Sequence, residues 1–293
     1  MAVVNTNVNA SVAQNALIRN ERSMNQAMER LSTGQRINAA KDDAAGLAIA
    51  SRMTSQIKGL ETSVRNANDA ISMISTADGA LVEVGNMLQR MRELALQSAN
   101  GTASSTDRDY LNAEYENLIA EIERIAQNTQ WNGKAILTGD ADSLDDSTVA
   151  FQVGANGGQT IAVNFGDISQ SGAATFAQFE LSAHAGSESH ISGATTAAAQ
   201  NHVSGALLYI DSAITAVNTQ RATYGAAVNQ LTYAVDNLSN IKVNSEAARS
   251  RILDTDYAQE TSELARTQII QRAGTAMLAQ ANQLPATVLS LLQ

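Results

Sequence analysis

Apolar residues recur along this chain in alternating steps of four and three. From Met53 the series runs Met53, Ile57, Leu60, Val64, Ala67, Ile71, Ile74, then Leu81 and Leu88. Asp78 and Gly85 occupy seam positions and weaken the series without ending it. A second series reads Val203, Leu207, Ile210, Ile214, Val217, Arg221, Tyr224, Val228, Leu231, Val235, Leu238, and a shorter third reads Leu111, Tyr115, Leu118, Ile122, Ile125. A heptad period held this long predicts helices wound into a left-handed coil rather than packed round one globular core. Helices in ordinary domains average about 11–12 residues. One over Met53–Ser98 would extend about 70 Å at about 1.5 Å per residue. The expected fold is mainly α, a long antiparallel helical coiled-coil rod.

Local signals mark the ends of these helices. Asp42 or Asp43 is placed to cap the first long helix, and Asn100-Gly101 to stop it. Thr106–Asp109 resembles a capping box for the third series. After Asn128 the pattern changes: Trp131-Asn-Gly reads as a turn, and Phe151, Val153, then Ile161, Val163, Phe165 alternate with polar or small residues. Between those runs lies Gly154–Gly158, whose Gly and Asn residues accept positive φ, so a β-hairpin is expected near 149–165. Residues 166–201 are rich in Gly, Ala, Ser and Thr without a sustained period, which predicts a surface excursion or small insertion.

The two ends carry their own stripes. Leu17, Met24, Met28 and Leu31 form a sparse one. Ile270, Met277, Leu278, Leu284, Val288, Leu289, Leu291 and Leu292 form a denser one. Neither buries enough surface alone to offset the entropy of ordering it, so each end needs a partner, either the other end or another subunit.

Composition narrows the chemistry. The chain of 293 residues suggests about two domains. It has no Cys, which excludes disulfides, thiolate metal sites and thiol nucleophiles. A net charge of −10 argues against nucleic acid or an anionic membrane as partner. The opening Met1–Val8 lacks a basic n-region and a continuous apolar stretch, so no cleaved secretory signal is expected, and no window reaches a membrane span.

Candidate catalytic motifs all fall short. Asp140–Asp146 is acidic but lacks the glycine and closing Glu of an EF-hand. His184, His190 and His202 have no metalloprotease spacing, and the Ser55–Lys58 match to Ser-x-x-Lys has no Lys-Thr-Gly beside it. The glycines at 154, 157 and 158 lack the strand-to-helix context of a phosphate loop. No nucleophile, base and orienter assemble, so neither an enzyme nor a cofactor is expected.

Two stretches exceed generic coiled coil: Leu31–Ala50 (LSTGQRINAAKDDAAGLAIA), and Arg249–Tyr257 (RSRILDTDY) continuing to Ala279–Pro285 (AQANQLP) and Leu289–Leu292. With Gln89–Asn100 (QRMRELALQSAN) between them, they resemble bacterial flagellin in a short form without the large outer domains. The resemblance covers roughly 1–165 and 202–293. It implies terminal helices (1–44 plus 252–293) forming an inner-tube domain and an outer-tube rod (45–165 plus 202–251), with residues 166–201 facing solvent. It further implies a subunit that polymerises with itself into the flagellar filament for swimming, exported unfolded by the flagellar type III apparatus and located outside the cell. An export chaperone, the filament cap and hook-associated proteins are the implied partners. A hook–filament junction protein is the alternative reading. The end stripes, represented by Leu17, Met24, Met28, Leu31, Ile270, Met277, Leu284, Val288, Leu291 and Leu292, then become filament-assembly residues.

The resemblance also implies a host innate immune receptor. Its site in flagellins maps onto Gln89, Arg90, Leu94 and Gln97, with Glu114 facing from the next helix. Residues 90, 94 and 97 stand at i, i+4, i+7, on one side of a helix. Arg90 would offer a planar fork of donors and Leu94 an apolar anchor. The same face could equally pack against neighbouring subunits, with Arg90 pairing with Glu93 or Glu114.

Overall fold

A computed structural model describes residues 7–139, 147–168, 191–193 and 195–290. In chain order the elements are α1 (Val8–Thr33), α2 (Ala44–Ser98), α3 (Ser105–Asn128), β1 (Gln130–Trp131), β2 (Lys134–Ala135), β3 (Thr148–Gln152), β4 (Thr160–Asn164), α4 (Thr196–Leu253) and α5 (Tyr257–Ser290). The expected class holds: long helices dominate, with a small antiparallel hairpin. At 55 residues α2 rises about 80 Å, longer than the Met53–Ser98 estimate because it starts nine residues earlier. Among the described residues no helix is long and apolar enough to cross a membrane.

The chain divides into two compact units, residues 1–57 with 243–293, and residues 58–242. In the first, α1 and α5 pack antiparallel. Their register is fixed by Asn20 Nδ2, which donates to the Thr267 carbonyl at 2.8 Å and to Gln271 Oε1 at 3.1 Å. One end is pinned by Arg30 and Glu260 at 2.9 Å, the other by Asn7 Nδ2 on the Ala281 carbonyl at 2.8 Å. Gly274 lets Leu17 approach: a Cβ there would lie 2.6 Å from Leu17 Cδ2. α1 ends at Gly34, whose φ of 70° is the left-handed C-cap that favours glycine. The two inter-helix linkers are then stitched to each other. The Arg36 amide donates to the Leu253 carbonyl at 2.7 Å, and the Thr255 amide to the Gly34 carbonyl at 3.0 Å. The two candidate caps divide the work: Asp43 accepts from the Gly46 amide and caps α2, whereas Asp42 accepts from the Asn38 and Ala39 amides of the linker.

In the second unit α3 and α4 both run antiparallel to α2. Arg90 pairs with Glu114 at 2.8 Å, Arg92 with Asp211 at 2.8 Å, and Asp78 with Arg221 at 2.8 Å. The last pair explains two charges at seam positions, since each neutralises the other across the helix interface. With helices on two sides, α2 buries a broad arc that includes Leu81, Leu88, Met91 and Leu94, against Tyr115, Ile122, Ile210 and Tyr224.

β3 and β4 pair Phe151 with Ile161 and Val149 with Val163. Phe165 follows, its ring 6.4 Å from Phe151 and 5.6 Å from Tyr224, while the Tyr224 hydroxyl donates to the Phe165 carbonyl at 2.7 Å. Gln220 and Asn66 donate to the Asn164 and Gln152 carbonyls, tying the hairpin to α4 and α2. The turn at Trp131-Asn-Gly is itself a hairpin, with Asn132 (φ 51°) and Gly133 (φ 80°) joining β1 to β2.

Two boundaries differ from expectation. The capping box of α3 is Ser104 with Asp107, not Thr106 with Asp109: the Ser104 hydroxyl accepts from the Asp107 amide, and Asp107 accepts from the Ser104 amide. The edges of the expected surface insertion are packed. Ile168 and Ile191 are core residues, and α4 begins at Thr196 rather than near 202.

Candidate assembly and recognition surfaces

The α2–α3 face carries a compact set of charges. The Arg90 guanidinium bonds to Glu114 through Nε at 2.9 Å and to Glu93 through Nη1 at 3.2 Å. These bonds, Glu114 first and Glu93 next, hold the Arg90 pKa above its ordinary value. Gln89, Arg90, Gln97 and Glu114 are exposed. Leu94 is not. Its side chain is 0% exposed, within the core that α2 shares with α3 and α4. The expectation of an apolar surface anchor at Leu94 is therefore corrected: the i+4 step from Arg90 points into the bundle, because α3 covers that arc of α2. The leucine that does stand out here is Leu96, at 49% exposure, which periodicity alone did not single out.

Behind this face a buried cation fastens the turn between α2 and α3. Arg108 donates to the carbonyls of Ser98 at 3.1 Å, Asn100 at 3.3 Å and Gly193 at 3.4 Å. Ser98 Oγ donates in turn to the Ile191 carbonyl, and the Ile191 amide to Asn112 Oδ1 at 2.9 Å. Sequence reasoning missed Arg108, since an arginine in the first turn of an amphipathic helix reads as solvated.

The first unit presents the opposite character. Met28, Ile270 and Met277 are exposed, and Leu17, Met24 and Leu31 are half-buried, Leu17 against Gly274 of α5. Val8, Val12, Ile18 and Ile269 add further exposed apolar surface on α1 and α5. The side chains of Leu284 and Val288, and all of Leu291 and Leu292, lie outside the described residues. Arg30 Nε is buried with no hydrogen-bond partner, beside the pair its guanidinium makes with Glu260.

Ser55 and Lys58 sit exposed on α2 as ordinary helix-surface residues. His202 Nδ1 lies 2.8 Å from the Ser192 carbonyl. Asp140–Asp146, His184 and His190 lie outside the described residues.

Comparison with known proteins identifies the fold's origin. The bacterial flagellin N-terminal helical region matches residues 4–142, and the bacterial flagellin C-terminal helical region matches residues 207–292. The chain belongs to the bacterial flagellin family. It is 42% identical to a flagellin of Halalkalibacterium halodurans over 292 residues, covering 99% of this chain and 100% of the relative. It is 37% identical to flagellin A of Vibrio cholerae over 380 aligned positions, with 99% of each covered. Among solved structures, a flagellar hook-associated protein of Vibrio parahaemolyticus shares the fold, with a TM-score of 0.58 and 18% identity over 73% of this chain and 100% of that one. Flagellins are structural proteins that polymerise into the extracellular flagellar filament, and this flagellin is such a subunit. The hook–filament junction reading is not favoured.

Proposed function

We propose that this flagellin assembles through its terminal helix pair and serves as a structural subunit rather than a catalyst. One observation carries the reading: the first unit turns large apolar side chains of both α1 and α5 to solvent, including Val12, Met28, Ile269 and Met277. Such a surface in a polymer-forming chain is an interface awaiting its neighbour. An interface between unlike patches that does not close on itself generates a filament. The filament-assembly set is then Leu17, Met24, Met28, Leu31, Ile270 and Met277, continued by Leu284, Val288, Leu291 and Leu292. Removing residues 284–293 should leave a chain of unchanged helicity that no longer sediments as polymer on seeding. Long filaments from the truncated chain would refute this.

Before assembly an export chaperone would cover the same apolar ends, and the filament cap and hook-associated proteins would meet them at the tip and base. A host innate immune receptor would read Gln89, Arg90, Gln97 and Glu114, with Leu94 contributing only by supporting the helix beneath them. Arg90→Ala monomer should then signal more weakly than wild type in a receptor-reporter dose response at matched helicity. Superimposable curves would remove Arg90 from that site.

A further inference from the structure

The chain has eight methionines and no cysteine, so thioethers are its only sulfur. Met73 and Met91 are buried in the core of the second unit, and Met24, Met53 and Met87 are half-buried. Among the described residues only Met28 and Met277 are exposed, at 47% and 65%. They lie one on each helix of the terminal pair. Met28 stands four residues after Met24 and three before Leu31, and Met277 seven after Ile270. Each therefore belongs to the apolar stripe of its helix. The two most accessible thioethers coincide with the surface that has to be covered on assembly.

We propose that Met28 and Met277 are oxidation sites of the unassembled subunit, converted to sulfoxides by a peroxide-class oxidant and thereby withheld from the filament until reduced. The inference rests on assembly through α1 and α5. A sulfur lone pair attacks one peroxide oxygen; the S–O bond forms, the O–O bond breaks and hydroxide leaves. That hydroxide takes the proton of the sulfur-bound hydroxyl, so the products are sulfoxide and water, with sulfur oxidised by the two electrons that reduce the peroxide. An apolar, adaptable side chain becomes polar and chiral. In the monomer the new oxygen meets water, but at a closed interface it is a buried polar group without a partner. The bonds that set the α1–α5 register, from Asn20 to Thr267 and from Arg30 to Glu260, involve neither methionine, so the oxidised monomer keeps its fold.

Hydrogen peroxide is the probe, and peptide mass spectrometry reads each site. In wild-type monomer Met28 and Met277 should oxidise roughly tenfold or more faster than Met73 and Met91, and preformed filaments should protect both to a similar degree. Oxidised monomer should retain its helicity, need roughly tenfold or more protein to elongate untreated seeds, and recover on treatment with methionine sulfoxide reductases. A Met28→Leu, Met277→Leu chain nearly conserves side-chain volume and should elongate seeds equally before and after peroxide. Elongation by doubly oxidised wild type at the untreated concentration would overturn the proposal. So would equal oxidation of both sites in monomer and filament, no recovery on reduction, or the same peroxide sensitivity in the double-leucine chain. Should that chain fail to elongate even untreated, reversal by the reductases on wild type decides alone. Failure of untreated wild type to polymerise would instead strike at the assembly reading.

Discussion

Leu94→Ala separates a core role from a surface role for the residue at the centre of the α2–α3 face. Leu94 is fully buried among α2, α3 and α4. Truncation removes three carbon atoms, about 2.4 kcal/mol at about 0.8 kcal/mol each. The residual cavity raises the loss to about 3–5 kcal/mol, since surrounding side chains relax only partly. For a cooperative unit spanning residues 58–242, each kcal/mol lowers the midpoint by about 2–4 °C, so a fall of about 6–20 °C is expected. Half-exposed Leu96, two residues away, should cost about 0.5 kcal/mol or less on the same change. Leu94→Met nearly conserves volume and should lose under about 1.5 kcal/mol. Thermal unfolding of the three variants followed at 222 nm makes the comparison. Receptor signalling measured on the same samples should fall with Leu94→Ala only as far as folded monomer falls. A Leu94→Ala protein within about 0.5 kcal/mol of wild type that nonetheless loses signalling would refute the assignment of Leu94 to the core.

Three further outcomes follow from the second unit. Arg108→Leu strips the carbonyls of Ser98, Asn100 and Gly193 of a charged donor and should destabilise by about 3 kcal/mol or more, with accelerated hydrogen exchange at Ile191. Burial pushes the Tyr115 hydroxyl up to about 12 and Tyr224 higher still, so the folded state disfavours phenolate. The stability that these two neutral phenols contribute is complete below pH 10 and lost as pH rises through 12, so their 295 nm ionisation signal should appear together with helix loss. Ile168 is tied to Leu137 beyond the end of α3 and Ile191 to Asn112 near its start. The Asn112–Asn128 rise of about 24 Å requires at least about seven extended residues. A three-residue Gly/Ser replacement of 169–190 should therefore lower the thermal midpoint, whereas one of about ten should leave it unchanged.

The long helices were legible because a heptad series reports burial directly, and the β3–β4 hairpin because alternation flanks a glycine-rich turn. What escaped lies where one residue answers to two partners. The seam through Ile57, Leu60, Val64 and Ala67 describes a helix with one neighbour, but beyond Leu81 two helices pack on α2 and the buried arc widens to include Leu94. Ser104 and Thr106 both match an N-cap signature three residues before an Asp, and only backbone geometry selects the first. The flanks of the Gly/Ala/Ser/Thr-rich segment carry no period because each contributes a single anchor, Ile168 or Ile191, whose core partners are far away in sequence. The terminal stripes were legible as apolar faces that each needed a partner, the other end or another subunit. How much α1 and α5 cover for each other depended on close approaches such as Leu17 on Gly274.

Hydrogen–deuterium exchange of monomer and filament tests most directly the claim that neighbouring subunits complete the terminal helices. Amides of α1 and α5 should exchange rapidly in the monomer and become strongly protected on polymerisation, while those of α2, α3 and α4 around Leu88, Tyr115 and Tyr224 are protected in both states. Equal protection of α1 and α5 before and after assembly would contradict it.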